Sequence, residues 1–126
     1  MGLCVNEAIL CHVLDERPYT LDELVEIAHE RYGRDKGHAR GDFQAIILIL
    51  ESTSNSICRL GDKYYKICEF NSWQKFMLGK LDKMPEGYFE ARPKLINLYL
   101  ELEKKYGSTY SNEYLEKIRK KYSNSS

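Results

Sequence analysis

The segment ICRLGDKYYKIC, residues 57–68, decides how the fold of this chain is interpreted. Two runs of alternating side chains flank the Gly-Asp pair at 61–62, and such a pair between alternating runs is typical of a two-residue β-hairpin turn. This turn sets Leu60 opposite Lys63 on the neighbouring strand. The segment therefore predicts a hairpin near the centre of the chain.

The same alternation divides the hairpin into two faces, with Cys58 opposite Tyr65 on the first of them. We expect the first face to pack on helices; its members are Cys58, Leu60, Tyr65 and Ile67. We expect the second face to be solvated and cationic; its members are Arg59, Tyr64 and Lys66. In this register Cys58 and Cys68 are not opposite each other, which disfavours a disulfide between them.

Upstream of the hairpin, residues 39–53 are predicted to form a helix after a polar connector at 34–38. Its broad apolar side consists of Phe43, Ile46, Ile47, Ile49 and Leu50. A polar stripe lies opposite and consists of Arg40, Gln44, Glu51 and Ser52. The run 45–50 is also rich in β-branched residues, so periodicity alone leaves a strand open; the length and the polar stripe favour a helix.

Two further helices are predicted before this one. The sequence TLDE, residues 20–23, matches a capping box, in which threonine and glutamate each satisfy a free backbone amide at a helix start. Gly33 is a natural end for that helix. Residues 6–16 predict the first helix, with Asn6 as its N-cap, and Pro18 interrupts the pattern after it.

Downstream of the hairpin, the pattern predicts three helices, over residues 72–83, 93–106 and 112–122. Pro93 suits the first turn of the middle helix, and Gly107 suits its end. This helix is apolar around much of its circumference, so we expect two different surfaces to cover it.

The composition fits a folded chain of 126 residues, since 43% are hydrophobic and 30% are charged. Nineteen basic and nineteen acidic residues cancel, which counts against a protein that simply coats a polyanion. The charges are nevertheless polarised. Residues 1–30 hold one basic and seven acidic side chains, residues 31–66 hold seven and four, and residues 67–126 hold eleven and eight.

The order helix, capped helix, helix and hairpin resembles a winged helix–turn–helix domain of the kind found in small transcription regulators. The resemblance covers about half of the chain and rests on element order, the cap at 20–23 and the hairpin turn, without a diagnostic motif. It implies a mainly α fold with a small β-hairpin. The winged helix–turn–helix domain would span residues 1–70, and a C-terminal helical extension would span 71–126.

In that family the third helix enters the major groove, and the hairpin wing contacts the DNA backbone or the minor groove. The resemblance therefore implies a transcription regulator that binds double-stranded DNA. Carried over by position, the DNA-binding residues would be Arg34, Lys36, His38, Arg40, Gln44, Arg59, Lys63, Tyr64 and Lys66. Arginine can pair with guanine and glutamine with adenine, so Arg40 and Gln44 suit the reading of base edges.

Other interpretations of the same residues stay open. Arg40 and Gln44 also suit the solvated face of an amphipathic helix, and the hairpin cations also protect a strand edge from pairing with another chain. Glu51 on the polar stripe and the acidic first two helices depart from the DNA-binding pattern. They favour an alternative, an interaction module that recruits a polymerase or replication protein through the acidic helices.

A homodimer is predicted from the wide apolar surface of helix 93–106, which exceeds what one small core needs. The residues assigned to the dimer interface are Leu95, Leu98, Tyr99 and Leu102. A two-fold dimer would present its two third helices to DNA half-sites about one duplex turn apart.

No motif predicts a metal site, a cofactor or catalysis. Zinc-ligand spacings, nucleophile motifs and phosphate-binding glycine patterns are all missing from the sequence. Without a membrane span or a secretion signal, we expect an intracellular protein whose four cysteines are reduced thiols.

Overall fold

The computed structural model describes residues 2–53, 56–67, 70–107 and 113–123. The elements in chain order are α1 (Gly2–Leu14), β1 (Tyr19–Thr20), α2 (Leu21–Tyr32), α3 (Lys36–Thr53), β2 (Ile57–Leu60), β3 (Lys63–Lys66), α4 (Phe70–Leu81), α5 (Pro93–Tyr106) and α6 (Glu113–Ser123). A mainly helical fold with a small antiparallel sheet is thus confirmed.

The predicted capping box forms at the start of α2. The Thr20 hydroxyl accepts a hydrogen bond from the Glu23 amide at 3.2 Å, and the Glu23 carboxylate accepts one from the Thr20 amide at 2.9 Å. Gly33 ends the helix in the left-handed conformation, with φ of 71°, and its amide donates to carbonyls of the last turn. Both ends of α2 are therefore fixed by local sequence.

The hairpin has the predicted register, with Leu60 opposite Lys63. A third strand, β1, was not predicted from the sequence. It pairs antiparallel with β3, where Tyr19 lies opposite Tyr64, and gives the sheet the order β1-β3-β2. β1 links α1 to α2, so the sheet ties the hairpin to the first two helices.

The prediction of which hairpin face packs on the helices was wrong. Leu60 of the expected docking face is 67% exposed, whereas Ile57 is buried and Tyr64 packs against the core. Ile57 and Tyr64 share the opposite face, together with Lys66, because the register pairs Ile57 with Lys66. Both faces carry apolar side chains, so alternation identified the two faces without identifying the inner one.

Helix α1 begins earlier than predicted, at Gly2, and Asn6 lies inside it instead of capping it. The Asn6 side chain is fully buried and donates to Asp42 of α3 at 2.7 Å. Ala8 of the same helix is also buried. α1 contacts both α3 and α4, so less of its surface faces solvent than on a helix packed against a single neighbour.

The remaining helices agree with their predicted positions to within a few residues. α3 is helical through the segment predicted as a strand alternative, and it begins at Lys36, inside the predicted connector. α4 begins at Phe70, two residues before its predicted start. α5 has the predicted bounds, and α6 lies within one residue of its predicted span.

One cluster of buried side chains includes residues from both halves of the chain. Leu10 of α1, Leu78 of α4 and Tyr99 of α5 all belong to it. A polar contact crosses the same boundary, since the Gln74 amide on α4 donates to the backbone carbonyl of Cys11. None of the helices in the described residues has the length and apolar character needed to cross a bilayer.

Candidate nucleic-acid interface

One side of α3 is buried and the other faces outward. The buried side consists of Ala39, Phe43, Ile46, Ile47 and Leu50. Arg40, Gln44 and Leu48 follow one another at four-residue spacing on the exposed side, and we call these three residues the α3 stripe. Gly41 and Ala45 are exposed beside the stripe and are small, so another molecule can approach the helix axis closely there.

The N-terminus of α3 is fixed by Asp35. Its carboxylate accepts a hydrogen bond from the His38 amide at 3.0 Å, and this bond lowers the pKa of the Asp35 carboxyl. The His38 side chain is exposed, as the predicted DNA contact requires. Lys36 also lies here, but its ammonium contacts Glu26 of α2 at 2.8 Å. This ion pair raises the pKa of Lys36 and lowers that of Glu26.

Arg40, the predicted base-reading arginine, lies beside the start of α2. Its Nη2 atom donates to the Asp22 carboxylate at 2.6 Å, and both side chains are exposed. An exposed ion pair of this kind is worth only about 0–1 kcal/mol. The contact therefore orients Arg40, but it is weak enough for another acceptor to replace Asp22.

The hairpin adjoins the C-terminal end of the α3 stripe. Arg59 on β2 contacts Glu51 of α3 at 3.6 Å, and its guanidinium lies 5.1 Å from the centre of the Tyr64 ring. Glu51 lies eleven positions after Arg40, which returns to nearly the same side of the helix. The stripe and the hairpin therefore form one continuous surface.

The two lysines of the hairpin, Lys63 and Lys66, differ in their exposure to solvent. Lys63 is exposed next to the turn. Lys66 points inward, and its ammonium contacts the carboxylate of Asp15, which follows α1. Lys105 of α5 contacts the same carboxylate. Of the predicted wing contacts, Lys63 is therefore the more accessible to a polyanion, and Lys66 has a structural contact.

The charges of this surface are close to balanced. The predicted DNA-binding cations Lys36, Arg40, Arg59 and Lys66 each contact a carboxylate. Arg34 instead donates through Nε to the Asn6 side chain at 3.1 Å. Acidic partners weaken the positive potential that would attract a polyanion from a distance. Any nucleic acid would have to replace these carboxylates contact by contact.

The outward positions of Ile49 and Leu60 are the features that the sequence pattern did not reveal. Leu48 and Ile49 on α3 are 69% and 51% exposed, and Leu60 on β2 is similarly exposed. Ile49 had been assigned to the apolar, core-facing side of α3. The width of that apolar side could have revealed this. Five large apolar residues within eight positions cover a wider arc of the helix than one buried stripe needs, so some of them must face outward.

The four residues predicted to form a dimer interface are all buried within one chain. Leu95, Leu98, Tyr99 and Leu102 are at most 2% exposed and belong to the common core. α4 and α2 both contact α5, which supplies the two covering surfaces expected for this helix. A homodimer stays a prediction, and it would need a different surface.

The described cysteine and acidic side chains are not arranged as a metal site. Cys11 is a buried free thiol, and burial raises its pKa well above the ordinary value. Cys58 is a half-buried free thiol, and the side chains of Cys4 and Cys68 lie outside the described residues. In the described part of the chain, no group of three or more histidine, cysteine, aspartate or glutamate side chains is arranged to hold a metal ion. Glu30, on the acidic outer side of α2, is exposed.

Comparison with known proteins finds no family model, no curated protein and no solved structure that matches this chain.

Proposed function

We propose that this chain is a winged helix–turn–helix protein that binds double-stranded DNA as a transcription regulator. The exposed α3 stripe would read base edges in the major groove, and the hairpin would contact the backbone beside it. The observation that carries the proposal is the continuity of these two parts. Arg40 and Gln44 are exposed on α3, and Arg59 links the hairpin to the same side of that helix.

The element order supports this proposal. Three helices precede a hairpin, and the strand β1 between α1 and α2 completes a small sheet with it. That sheet holds the hairpin beside α3 instead of leaving it as a free two-stranded arm, which would be only marginally stable. A rigid hairpin suits a wing, because a preorganised contact surface loses less entropy on binding.

The ion pairs predict what kind of DNA binding to expect. Each exposed pair, such as Arg40–Asp22, is weak enough for a phosphate or a guanine to replace the carboxylate. The freed carboxylate then takes up a counterion, which offsets part of the counterion release that drives binding. We therefore expect moderate affinity, with base contacts contributing a large share of it.

A selection for bound duplexes from a random pool, at near-physiological salt, tests the proposal. A common sequence should be enriched, and Arg40→Ala should weaken binding to it by about 1–3 kcal/mol while relaxing base preference at one position. Lys75→Ala is the matched control, because Lys75 is an exposed cation on α4, away from α3. If no sequence is enriched, or if both variants behave alike, the proposal fails.

A second candidate function is protein recruitment by the same domain, and one observation favours it. Leu48 and Ile49 are large apolar side chains exposed side by side on α3, and neighbouring exposed apolar side chains are typical of a surface that binds another protein. In this alternative, the domain recruits a polymerase or replication protein through the acidic side chains of the first two predicted helices, most of which lie on α2. Charge reversal at Glu26 and Glu30 should then abolish the protein contact, whereas Arg40→Ala should leave it intact.

A further inference from the structure

The junction between the end of α2 and the start of α5 contains a cleft of about 280 Å³. Its lining includes Tyr32, Gly33 and Arg34 from the first junction segment, and Arg92, Lys94 and Leu95 from the second. Tyr32 and Leu95 are buried and form an apolar part of the wall, whereas the three cationic side chains reach solvent. The cleft therefore combines an apolar wall with three positive charges.

These three cations differ from Lys36, Arg40, Arg59 and Lys66 because their hydrogen-bond partners are uncharged. Arg34 Nε donates to the Asn6 side chain at 3.1 Å, Arg92 Nη1 to the Tyr88 carbonyl at 3.3 Å, and Lys94 Nζ to the Glu30 carbonyl at 3.3 Å. Within the described residues, none of the three forms an ion pair with a carboxylate. Their positive charges thus add together at the cleft.

The cations are also held in position. Arg34 is oriented by the fully buried Asn6, which is itself anchored to Asp42. The stem of Lys94 packs on Gly33, where a methyl group would lie 3.4 Å from its Cδ atom. The Arg92 guanidinium stacks 4.3 Å from the centre of the Tyr88 ring. Preorganised charges lose little entropy when they bind an anion.

We propose that this cleft binds a small organic phosphate, which the guanidinium groups of Arg34 and Arg92 and the ammonium of Lys94 would hold. The three positive charges are more than enough to neutralise the two negative charges of a phosphate dianion, and a guanidinium can donate two parallel hydrogen bonds to its oxygens. Among the described residues, Arg34 donates to other side chains through Nε–H alone, so its terminal NH₂ groups can donate to the ligand. The apolar wall at Leu95 and Tyr32 would contact the organic part.

This proposal does not rest on DNA binding by α3. The test is an amide NMR titration of the whole chain with inorganic phosphate and with glycerol phosphate, at ionic strength held constant with chloride. We expect saturable shifts at Gly33, Arg34, Lys94 and Leu95 for both probes. A double variant, R92Q/K94Q, should weaken this binding at least about tenfold, since each charge-assisted contact is worth about tenfold.

The matched control is K75Q/K83Q, which removes the same charge from exposed lysines outside the cleft. It should bind both probes as the unaltered chain does, and thermal melts should show that both double variants stay folded. Non-saturating shifts spread over all basic residues, or equal losses in the two double variants, would overturn the proposal. A third result would also overturn it: neither probe binds, yet R92Q/K94Q weakens the binding of a DNA duplex. The cleft would then contact the phosphates of the DNA backbone instead of a small ligand.

Discussion

Lys66 on β3 and Asp15, just after α1, form an ion pair across 51 positions of sequence, and Lys105 of α5 contacts the same carboxylate. The Asp15 side chain is only 11% exposed, so one largely buried carboxylate joins the hairpin to the C-terminal part of the chain. This contact holds the base of the hairpin in place.

Asp15→Asn should therefore destabilise the fold. We expect a loss of about 1–3 kcal/mol in the free energy of unfolding, because two charge-assisted contacts lose their charged acceptor. Urea denaturation measures this loss, and hydrogen exchange should show faster opening of hairpin amides. The control is Glu16→Gln, which removes an exposed pair with Arg31 worth about 0–1 kcal/mol. Equal effects of the two variants would contradict the role given to Asp15.

Asp22→Asn should strengthen duplex binding if α3 reads DNA. The substitution frees Arg40 and removes a negative charge beside it, so we expect a gain of roughly two- to fivefold in affinity. Glu30→Gln is the control, since it removes one negative charge from the same helix without releasing Arg40. Fluorescence anisotropy with the selected duplex measures both variants. Unchanged or weaker binding by Asp22→Asn would count against the α3 stripe as the reading surface.

Leu98→Ala should lower stability without changing the association state. Leu98 is 1% exposed within a single chain, and truncation of a buried leucine costs about 2–5 kcal/mol. Urea denaturation and sedimentation, carried out on the same samples, separate this result from an interface role. A variant that dissociates a dimer while keeping its monomer stability would show that the α5 side chains can serve between chains.

Acidification should destabilise the chain through its helix-start carboxylates. Hydrogen bonds from backbone amides lower the pKa of Glu23 and of Asp35 in the folded state. Their stabilising contribution is full above the ordinary carboxyl pKa and is lost as the pH falls through the lowered values. We therefore expect the free energy of unfolding to decrease between about pH 5 and pH 3.

Glu23→Gln isolates one part of this pH dependence. Glutamine can still accept the Thr20 amide but does not titrate, so the variant should lose less stability on acidification than the unaltered chain. Burial raises the pKa of Glu7, which acts in the opposite direction and is unaffected by this substitution. Identical pH profiles for the two proteins would show that the capping carboxylate contributes nothing to acid sensitivity.

Local signals predicted the elements that depend on a few neighbouring residues. The cap at Thr20 and Glu23, the bounds of α5 and the hairpin register all follow from short-range chemistry. Strand β1 was missed because a two-residue strand has no periodicity of its own, and its partner lies 45 positions away at Tyr64. Pairing of this kind is set by tertiary packing.

The sequence predicted which residue types lie on the candidate site, but it did not predict which carboxylates pair with its cations. The exposure of Arg40 and Gln44 agrees with the polar stripe expected on α3. The partners of its cations lie on other elements, as Glu26 does for Lys36, and no local pattern gives those distances. The outward position of Leu60 was also unpredictable, since the choice between two mixed faces depends on what packs beneath the hairpin.

The contacts of α1 with both α3 and α4 limit where the chain can be truncated. A fragment ending near residue 69 would lack α4, which packs against α1, and would remove the amide of Gln74 from the Cys11 carbonyl. We therefore expect that the amino-terminal half does not fold stably on its own. Both halves should melt in a single calorimetric transition, and attempts to graft the first half onto another scaffold should carry α4 along.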